Sequence, residues 1–375
     1  MPTGGDLTSV ALLTYSTRPR GGVVHTLALA EALAALDTQV TVWSLGRGGD
    51  TTFFRPVDPR VRLRVVPLPE IDGETVGQRV LRSIEVLGVA LREGPSADVV
   101  HAQDCISANA AGRCVRTVHH LDHFTTPELA RCHERAIREP FAHVCVSTAV
   151  AGELRQGWGI DATVIPNGVH AQRFAAAAAG TAQAAAARAQ WTQQLGRYLL
   201  AVGGIEPRKG SLELLEAYAL LQRTQPDLAL VVAGGETVFD YRDYRAAWQA
   251  RAVTLGVAPV VLGPVPDETM PALVAAAAAF AFPSLKEGFG LAALEAAAAG
   301  VALVVSDLPV LRETFTGAAE FAADPVELAA ALDRALTRPD RQRRAAGRAL
   351  ARRYTWAAAA ARHLELYRSL PRRYR

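Results

Sequence analysis

Tyr198-Leu199-Leu200-Ala201-Val202-Gly203-Gly204-Ile205-Glu206-Pro207-Arg208-Lys209-Gly210-Ser211 decides the fold. Five apolar residues run into a glycine turn, and helix-compatible sequence from Ser211 to Gln222 follows. A short continuous apolar run bounded by glycine reads as a strand buried on both faces. A strand that passes through a tight turn into a helix is the opening of a βαβ unit.

The same alternation extends both ways. Downstream, Leu228 to Val232, Val260-Val261-Leu262, Ala279 to Phe282 and Leu303-Val304-Val305 read as strands, with a helix from about Leu291. Upstream, Val10 to Leu13, Val40 to Trp43, Val61 to Val66, Val99 to His101, Arg116 to Val118 and Val144 to Val146 form an earlier series. Val23 to Leu36 has helical spacing between the first two. The pattern predicts an α/β chain with two doubly wound parallel-sheet domains in tandem. Ala175 to Gln190 is alanine-rich without a periodic apolar face, and reads as a linker or a surface helix. Trp356 to Leu370 is helical by pattern.

Composition narrows the class. Half of the 375 residues are hydrophobic and 21% are charged, with a net charge of +3. Such a mild positive balance does not argue for nucleic acid. Cys105, Cys114, Cys132 and Cys145 form no C-x-x-C pair. Zinc is therefore not expected, and free thiols in a reducing cytoplasm are. No signal-peptide pattern and no uninterrupted apolar run of spanning length is present. The arginine-dense stretch Arg338 to Arg353 reads as a solvated helix face, with weak peripheral association with a membrane surface as the sharper alternative.

Four segments could carry chemistry. Arg20-Gly21-Gly22 lies between the first strand and first helix, where ligands approach such sheets, but lacks the G-x-G-x-x-G spacing. Val118-His119-His120-Leu121-Asp122-His123 leaves a strand end, and His119 could orient a substrate hydroxyl. A metal site there is disfavoured, because neighbouring residues of an extended chain point to opposite faces. In the quoted turn, Arg208 and Lys209 beside Gly203 and Gly204 could grip a diphosphate, although the spacing is not that of a Walker A loop. Finally, Leu285 to Gly300 places Glu287 and Glu295 around Gly288-Phe289-Gly290-Leu291. A glycine turn opening a helix offers free N–H groups and a positive dipole end to an anion. Carboxylates flanking it suit sugar hydroxyls. A ligand that is part phosphate and part sugar follows.

Taken together these segments resemble the retaining glycosyltransferases of family 4, with the GT-B fold. The ordered matches are Gly21-Gly22, Thr117-Val118-His119, Val146-Ser147, Val164 to Val169, Val202-Gly203 to Lys209-Gly210, and Pro283 to Ala296 with the E-x7-E pair Glu287 and Glu295. Ser306-Asp307 and the Trp356 to Tyr367 segment also match. The resemblance implies two facing Rossmann-like domains: residues 1–168 on the acceptor side, 169–196 as a connection, 197–355 for the donor, and 356–375 as a helix crossing back to the first. It implies a nucleotide-diphosphate sugar as donor, an unidentified acceptor, a hexose transferred, and neither cofactor nor metal. Arg208 or Lys209 would neutralise the diphosphate, with Phe289-Gly290-Leu291 cradling it. Glu295 would hold the ribose and Glu287 the donor sugar. The loop around Leu262 and Val265 would meet the base. Gly21 and Gly22 would lie near the diphosphate and His119 near the transferring sugar. Three positions depart from the pattern: Gly204 replaces an arginine, His170 an aspartate, and Gln103 the second histidine of H-A-H. Gly204 keeps two other readings open, a non-catalytic nucleotide-sugar-binding partner and a nucleotide-sugar epimerase.

Overall fold

The computed structural model describes residues 9–122, 124, 126–235 and 241–371. His123 lies outside the described residues. The chain divides into two compact units, Met1–Gly168 with Trp356–Arg375, and Val169–Thr355.

The first unit is built on parallel strands β1 (Ser9–Leu13), β2 (Gln39–Arg47), β3 (Val61–Leu68), β4 (Val99–Ala102), β5 (Val115–Val118), β6 (Ala142–Cys145) and β7 (Thr163–Val164). They lie in the order β3-β2-β1-β4-β5-β6-β7. Val10 faces Val40 on one side and Val99 on the other, so β1 is the central strand from which the order reverses. Helices cover both faces, which is why burial does not alternate along β1 or β5, Arg116 and Thr117 of β5 included.

The terminal helix Trp356–Ser369 belongs to this first unit and packs on the helix Gly21–Ala34. It buries Trp356, Leu364 and Tyr367, each contributing roughly 1.5–3 kcal/mol of apolar burial. Two polar anchors fix its register. The Tyr367 hydroxyl meets His101 Nδ1 at 2.6 Å, and the Arg362 guanidinium donates to the Val164 carbonyl at 2.6 Å.

The second unit repeats the plan with β8 (Arg197–Val202), β9 (Leu228–Ala233), β10 (Val260–Gly263), β11 (Ala279–Phe282), β12 (Leu303–Ser306) and β13 (Glu320–Ala322). Their order is β10-β9-β8-β11-β12-β13, again all parallel. Two doubly wound α/β units with a returning helix are the GT-B elements expected from the sequence.

One expectation needs correction. Residues 169–196, expected as the interdomain connection, group with the second unit, and of the two readings of the alanine-rich stretch, linker or surface helix, the helix is the one present. Helices Ala171–Ala177 and Ala182–Leu195 pack against Met270–Ala276, and the first of them also against Leu291–Ala299. Phe174 supplies the apolar anchor, buried to 3%, and Val169 N–H donates to the Tyr354 carbonyl at 2.9 Å. The helix Ala182–Leu195 buries no residue fully, which is why its sequence carries no apolar stripe. β7 and β13, of two and three residues, are too short to register as patterns.

The arginine-dense stretch forms the helix Arg341–Arg353, which buries Gly347, Leu350 and Ala351. No described helix is long and apolar enough to cross a membrane. All four cysteines are free, and burial pushes the thiols of Cys114, Cys132 and Cys145 up to about 12, so they stay protonated and inert.

Candidate active site

In a sheet of this order, a crevice opens where successive connections leave the central strands to opposite sides. In the second unit those strands are β8 and β11. The loop after β8 carries Gly203 to Lys209, and the loop after β11 carries Pro283 to Gly290. Topology alone thus brings two of the sequence-predicted segments together.

Glycines let the two loops touch through their backbones. Gly210 sits at φ +63°, and a Cβ there would lie 1.9 Å from the Pro283 carbonyl oxygen. Leu285 N–H donates to the Arg208 carbonyl at 2.9 Å. A Cβ on Gly234 would come within 2.3 Å of the Gly203 carbonyl. At Gly204 it would lie 2.7 Å from the Gly235 carbonyl oxygen and 2.8 Å from Glu206 Oε1. That contact accounts for glycine where the family pattern has arginine: here the space is taken by Gly235 and Glu206.

The side chains then converge. Lys209 Nζ donates to Glu287 Oε2 at 2.8 Å and lies 5.0 Å from the Phe282 ring centroid. Arg208 reaches the same oxygen at 3.5 Å, Glu206 at 3.9 Å and the Lys286 carbonyl at 3.4 Å. Ser284 Oγ donates to Glu287 Oε2 at 3.4 Å, and Gly288 N–H to Oε1 at 3.2 Å. Glu287 is thus held from both oxygens and serves as the counter-ion of two cations. Its carboxylate supplies the negative charge that Lys209 and Arg208 face.

Gly290, at φ +92°, starts the helix Leu291–Ala299, whose amino end has no side-chain cap. A Cβ there would press on Phe315 at 3.0 Å and Leu311 at 3.2 Å. Phe289 is buried with its ring edge-on to Tyr354 at 5.4 Å, so only its backbone is available to a ligand. The uncapped N–H groups after Gly290 retain the anion-binding potential of a helix start.

Glu295 is half-buried on the same helix. Burial, and then the Asp267 carboxylate, pushes its carboxyl up to about 8, with Arg173 opposing. Arg173 itself pins the loop after β10: its guanidinium lies 2.9 Å from Asp267 Oδ2 and donates to the Asp267 carbonyl at 2.7 Å. Leu262 and Val265 lie partly exposed in and after β10, where Gly263 accepts from Gly234 N–H at 2.9 Å. Arg173 and Asp267 were not singled out by sequence reading; a charged pair separated by 94 positions leaves no local signal.

Gly21, Gly22 and His119 belong to the first unit. A Cβ on Gly22 would meet the His119 ring at 3.8 Å, whereas Gly21 faces open space. The helix Gly21–Ala34 has neither a side-chain cap nor an acidic residue in its first turn. His119 is edge-on to His25 at 4.8 Å, and its Nε2 is buried without a hydrogen-bond partner among the described residues. Burial, then the Arg116 charge, holds its pKa well below the ordinary histidine value, so the imidazole is neutral. A neutral ring with one open nitrogen can exchange a hydrogen bond with a hydroxyl.

Behind it lies a histidine group that the sequence did not disclose. His25 Nδ1 is bonded to Asn167 Oδ1 at 2.8 Å, and its ring lies 5.3 Å from Trp356. His101 bridges Tyr367 and Thr117, the latter at 2.7 Å, and His363 stacks 5.6 Å from His101. Burial lowers the pKa of all three, His363 to about 4. Their spacing over more than 300 positions of sequence hides them, although a histidine inside the apolar run Val23 to Leu36 was a usable hint. His120 and Asp122 pair with each other at 3.0 Å, and among the described residues no three such side chains group to hold a metal.

With this geometry in place, comparison with known proteins is informative. Residues 19–173 match the family described as Glycosyltransferase Family 4, and residues 187–352 match Glycosyl transferases group 1. The chain is 28% identical to the D-inositol 3-phosphate glycosyltransferase of Salinispora arenicola, over 96% of this chain and 91% of that protein. The sucrose-phosphate synthase of Thermosynechococcus elongatus superposes with a TM-score of 0.78 at 20% identity, covering 96% and 98% of the two chains. HepE of Anabaena, in complex with UDP-glucose, gives 0.73 at 18% identity, covering 96% and 100%. These two likenesses concern the fold.

Proposed function

The chain belongs to the family 4-type glycosyltransferases of GT-B fold, and from that premise we propose that it moves a hexose from a nucleotide-diphosphate sugar with retention of configuration and without metal. One observation carries the reading: Arg208, Lys209 and Glu287 converge where β8 and β11 part, beside an uncapped helix start. HepE, of the same fold, holds UDP-glucose.

The chemistry is a charge problem. As the bond from the sugar C1 to the diphosphate oxygen breaks, its electron pair passes to the diphosphate and the sugar becomes oxocarbenium-like. Lys209 and Arg208 stabilise that growing negative charge more than the ground state, which is what accelerates the step. The N–H groups following Gly290 add fixed dipoles. The acceptor hydroxyl oxygen bonds to C1 from the face the diphosphate leaves, and its proton passes to the departing phosphate. Glu287, displaced from Lys209 by the diphosphate, is free to accept hydrogen bonds from sugar hydroxyls. Glu295 accepts from the ribose. In the first unit, the neutral His119 orients a hydroxyl of the transferring sugar.

The test is turnover of UDP-, GDP- and ADP-sugars with and without a chelator. Release of nucleoside diphosphate from one donor class, undiminished by chelation, is expected. Strict dependence on a divalent metal would contradict the role given to Arg208 and Lys209.

A further inference from the structure

His25 lies in the second turn of the helix Gly21–Ala34 and is 1% exposed. Its Nδ1–H donates to Asn167 Oδ1 at 2.8 Å. Asn167 is buried as well, in the segment Val164 to Val169 that matches the family pattern. That segment is pinned to the sheet where Ile165 N–H donates to the Cys145 carbonyl at 2.9 Å. The Trp356 ring stands edge-on to the imidazole at 5.3 Å. Asn167 is one residue short of Gly168, where the chain leaves the first unit, and Trp356 is where it returns. One imidazole is thus held beside both the exit and the re-entry of the chain.

The next ring along is His119. Its centroid lies 4.8 Å from that of His25, with the two planes at 78°. Gly22 borders His119 too: a Cβ there would lie 3.8 Å from the His119 Cδ2 and Nε2. Residues three apart share a helix face, so Gly22 and His25 form one seat for the His119 ring. The Thr26 hydroxyl donates to the Gly22 carbonyl at 2.7 Å and ties that first turn down. Folding stability alone does not ask for histidine at position 25. With Nδ1 carrying the proton, Nε2 is an acceptor, and it is buried without a partner among the described residues. Phenylalanine would fill the space edge-on without that cost. Histidine is the side chain that both packs a ring on His119 and ties that ring to Asn167.

We propose that His25 is a positioning residue: fixed by Asn167, it holds the His119 ring at the angle from which Nε2 meets a hydroxyl of the transferring sugar. This rests on the glycosyltransferase reading above. It adds His25 and Asn167 as residues that act through His119 and, being buried, touch no substrate themselves. A misdirected ring leaves the sugar misaligned for transfer, so the effect falls on the chemical step. A nucleoside diphosphate has no sugar for His119 to orient, so its affinity does not depend on His25.

The test uses His25→Phe, which keeps a ring and removes the bond, and Asn167→Ala, which keeps the imidazole and frees it. Each is made in the full chain and again together with His119→Ala, and a melting scan checks that each is folded. UDP-, GDP- and ADP-glucose serve as donors, with UDP, GDP and ADP for titration. Either variant should lose about 10-fold in kcat, keep nucleoside diphosphate affinity within about twofold, and cause no further loss once His119 is alanine. Equal losses in both backgrounds, or a loss of affinity matching the loss of kcat, would overturn the proposal, because His25 would then only support the fold. Nitrogen–proton correlation spectra of the imidazoles, taken without ligand, need no turnover. His25 should carry its proton on Nδ1, and both variants should shift or broaden the His119 resonances. A proton on His25 Nε2, or His119 resonances unmoved in both variants, would also overturn it. If no donor is consumed and no diphosphate binds, the glycosyltransferase reading falls, and the spectra still decide whether His25 holds His119.

Discussion

The two units share one topology and build opposite electrostatics at the place where it opens. Both sheets reverse order beside their first strand, and both first strands run through a loop into a helix. In the second unit the loop residues are charged and paired, with Lys209 and Arg208 on Glu287. In the first unit the central groups are neutral histidines, buried behind Gly22. The strand order fixes where a ligand can sit, and the residues in the first turns fix what kind it is.

Removing one charge breaks the comparison most sharply. Lys209→Ala is expected to lower donor turnover by roughly 100- to 1,000-fold, the loss typical of a transition-state charge partner. Steady-state kinetics at saturating donor read it directly. Next in size is the backbone contact that the second unit alone depends on. Gly210→Ala forces a Cβ into the Pro283 carbonyl at a left-handed φ, and should cost about 2–3 kcal/mol in denaturant unfolding together with UDP affinity.

The units also differ in how they respond to pH. Glu295 has a folded-state pKa raised to about 8, so the folded protein holds a proton that the unfolded chain gives up near pH 4.5. Its contribution is therefore lost as pH rises from about 4.5 to about 8. The histidines behave in reverse. Their folded pKa values are depressed, His363 to about 4, so the unfolded chain takes up protons first as pH falls below 6.5. Stability from that group is lost as pH falls from about 6.5 to about 4. Glu295→Gln should flatten the fall in stability between about pH 6.5 and 8, above the histidine window, measured by urea unfolding; an unchanged slope there would remove this carboxyl from the account. The smallest expected effect is Tyr367→Phe, which takes the hydroxyl from His101 and should cost about 1–2 kcal/mol. A differential melting scan resolves it.

Strands were legible where they were long, apolar and bounded by glycine. β8 and β11 could be read almost residue for residue, because a buried parallel strand leaves a continuous apolar run. The Gly203–Lys209 and Glu287–Leu291 segments were legible for a related reason: glycine, cation and carboxylate were close together in sequence. The pairing of Lys209 with Glu287 was not, since 78 positions separate them and only the sheet order brings them together. In residues 169–196 a surface helix was legible beside the linker alternative, but alanine does not report what such a helix packs against. The histidine group was illegible for the same reason as Arg173 and Asp267. Each member is unremarkable in its own segment, and its environment is created by tertiary packing.

The division of labour between the units is tested most directly by calorimetric titration of UDP into Lys209→Ala and His119→Ala. A nucleoside diphosphate without its sugar should depend on the second unit alone. The account predicts that Lys209→Ala weakens UDP binding by at least ~10-fold, whereas His119→Ala binds UDP within about twofold of the unaltered protein. Unchanged affinity in Lys209→Ala would contradict it.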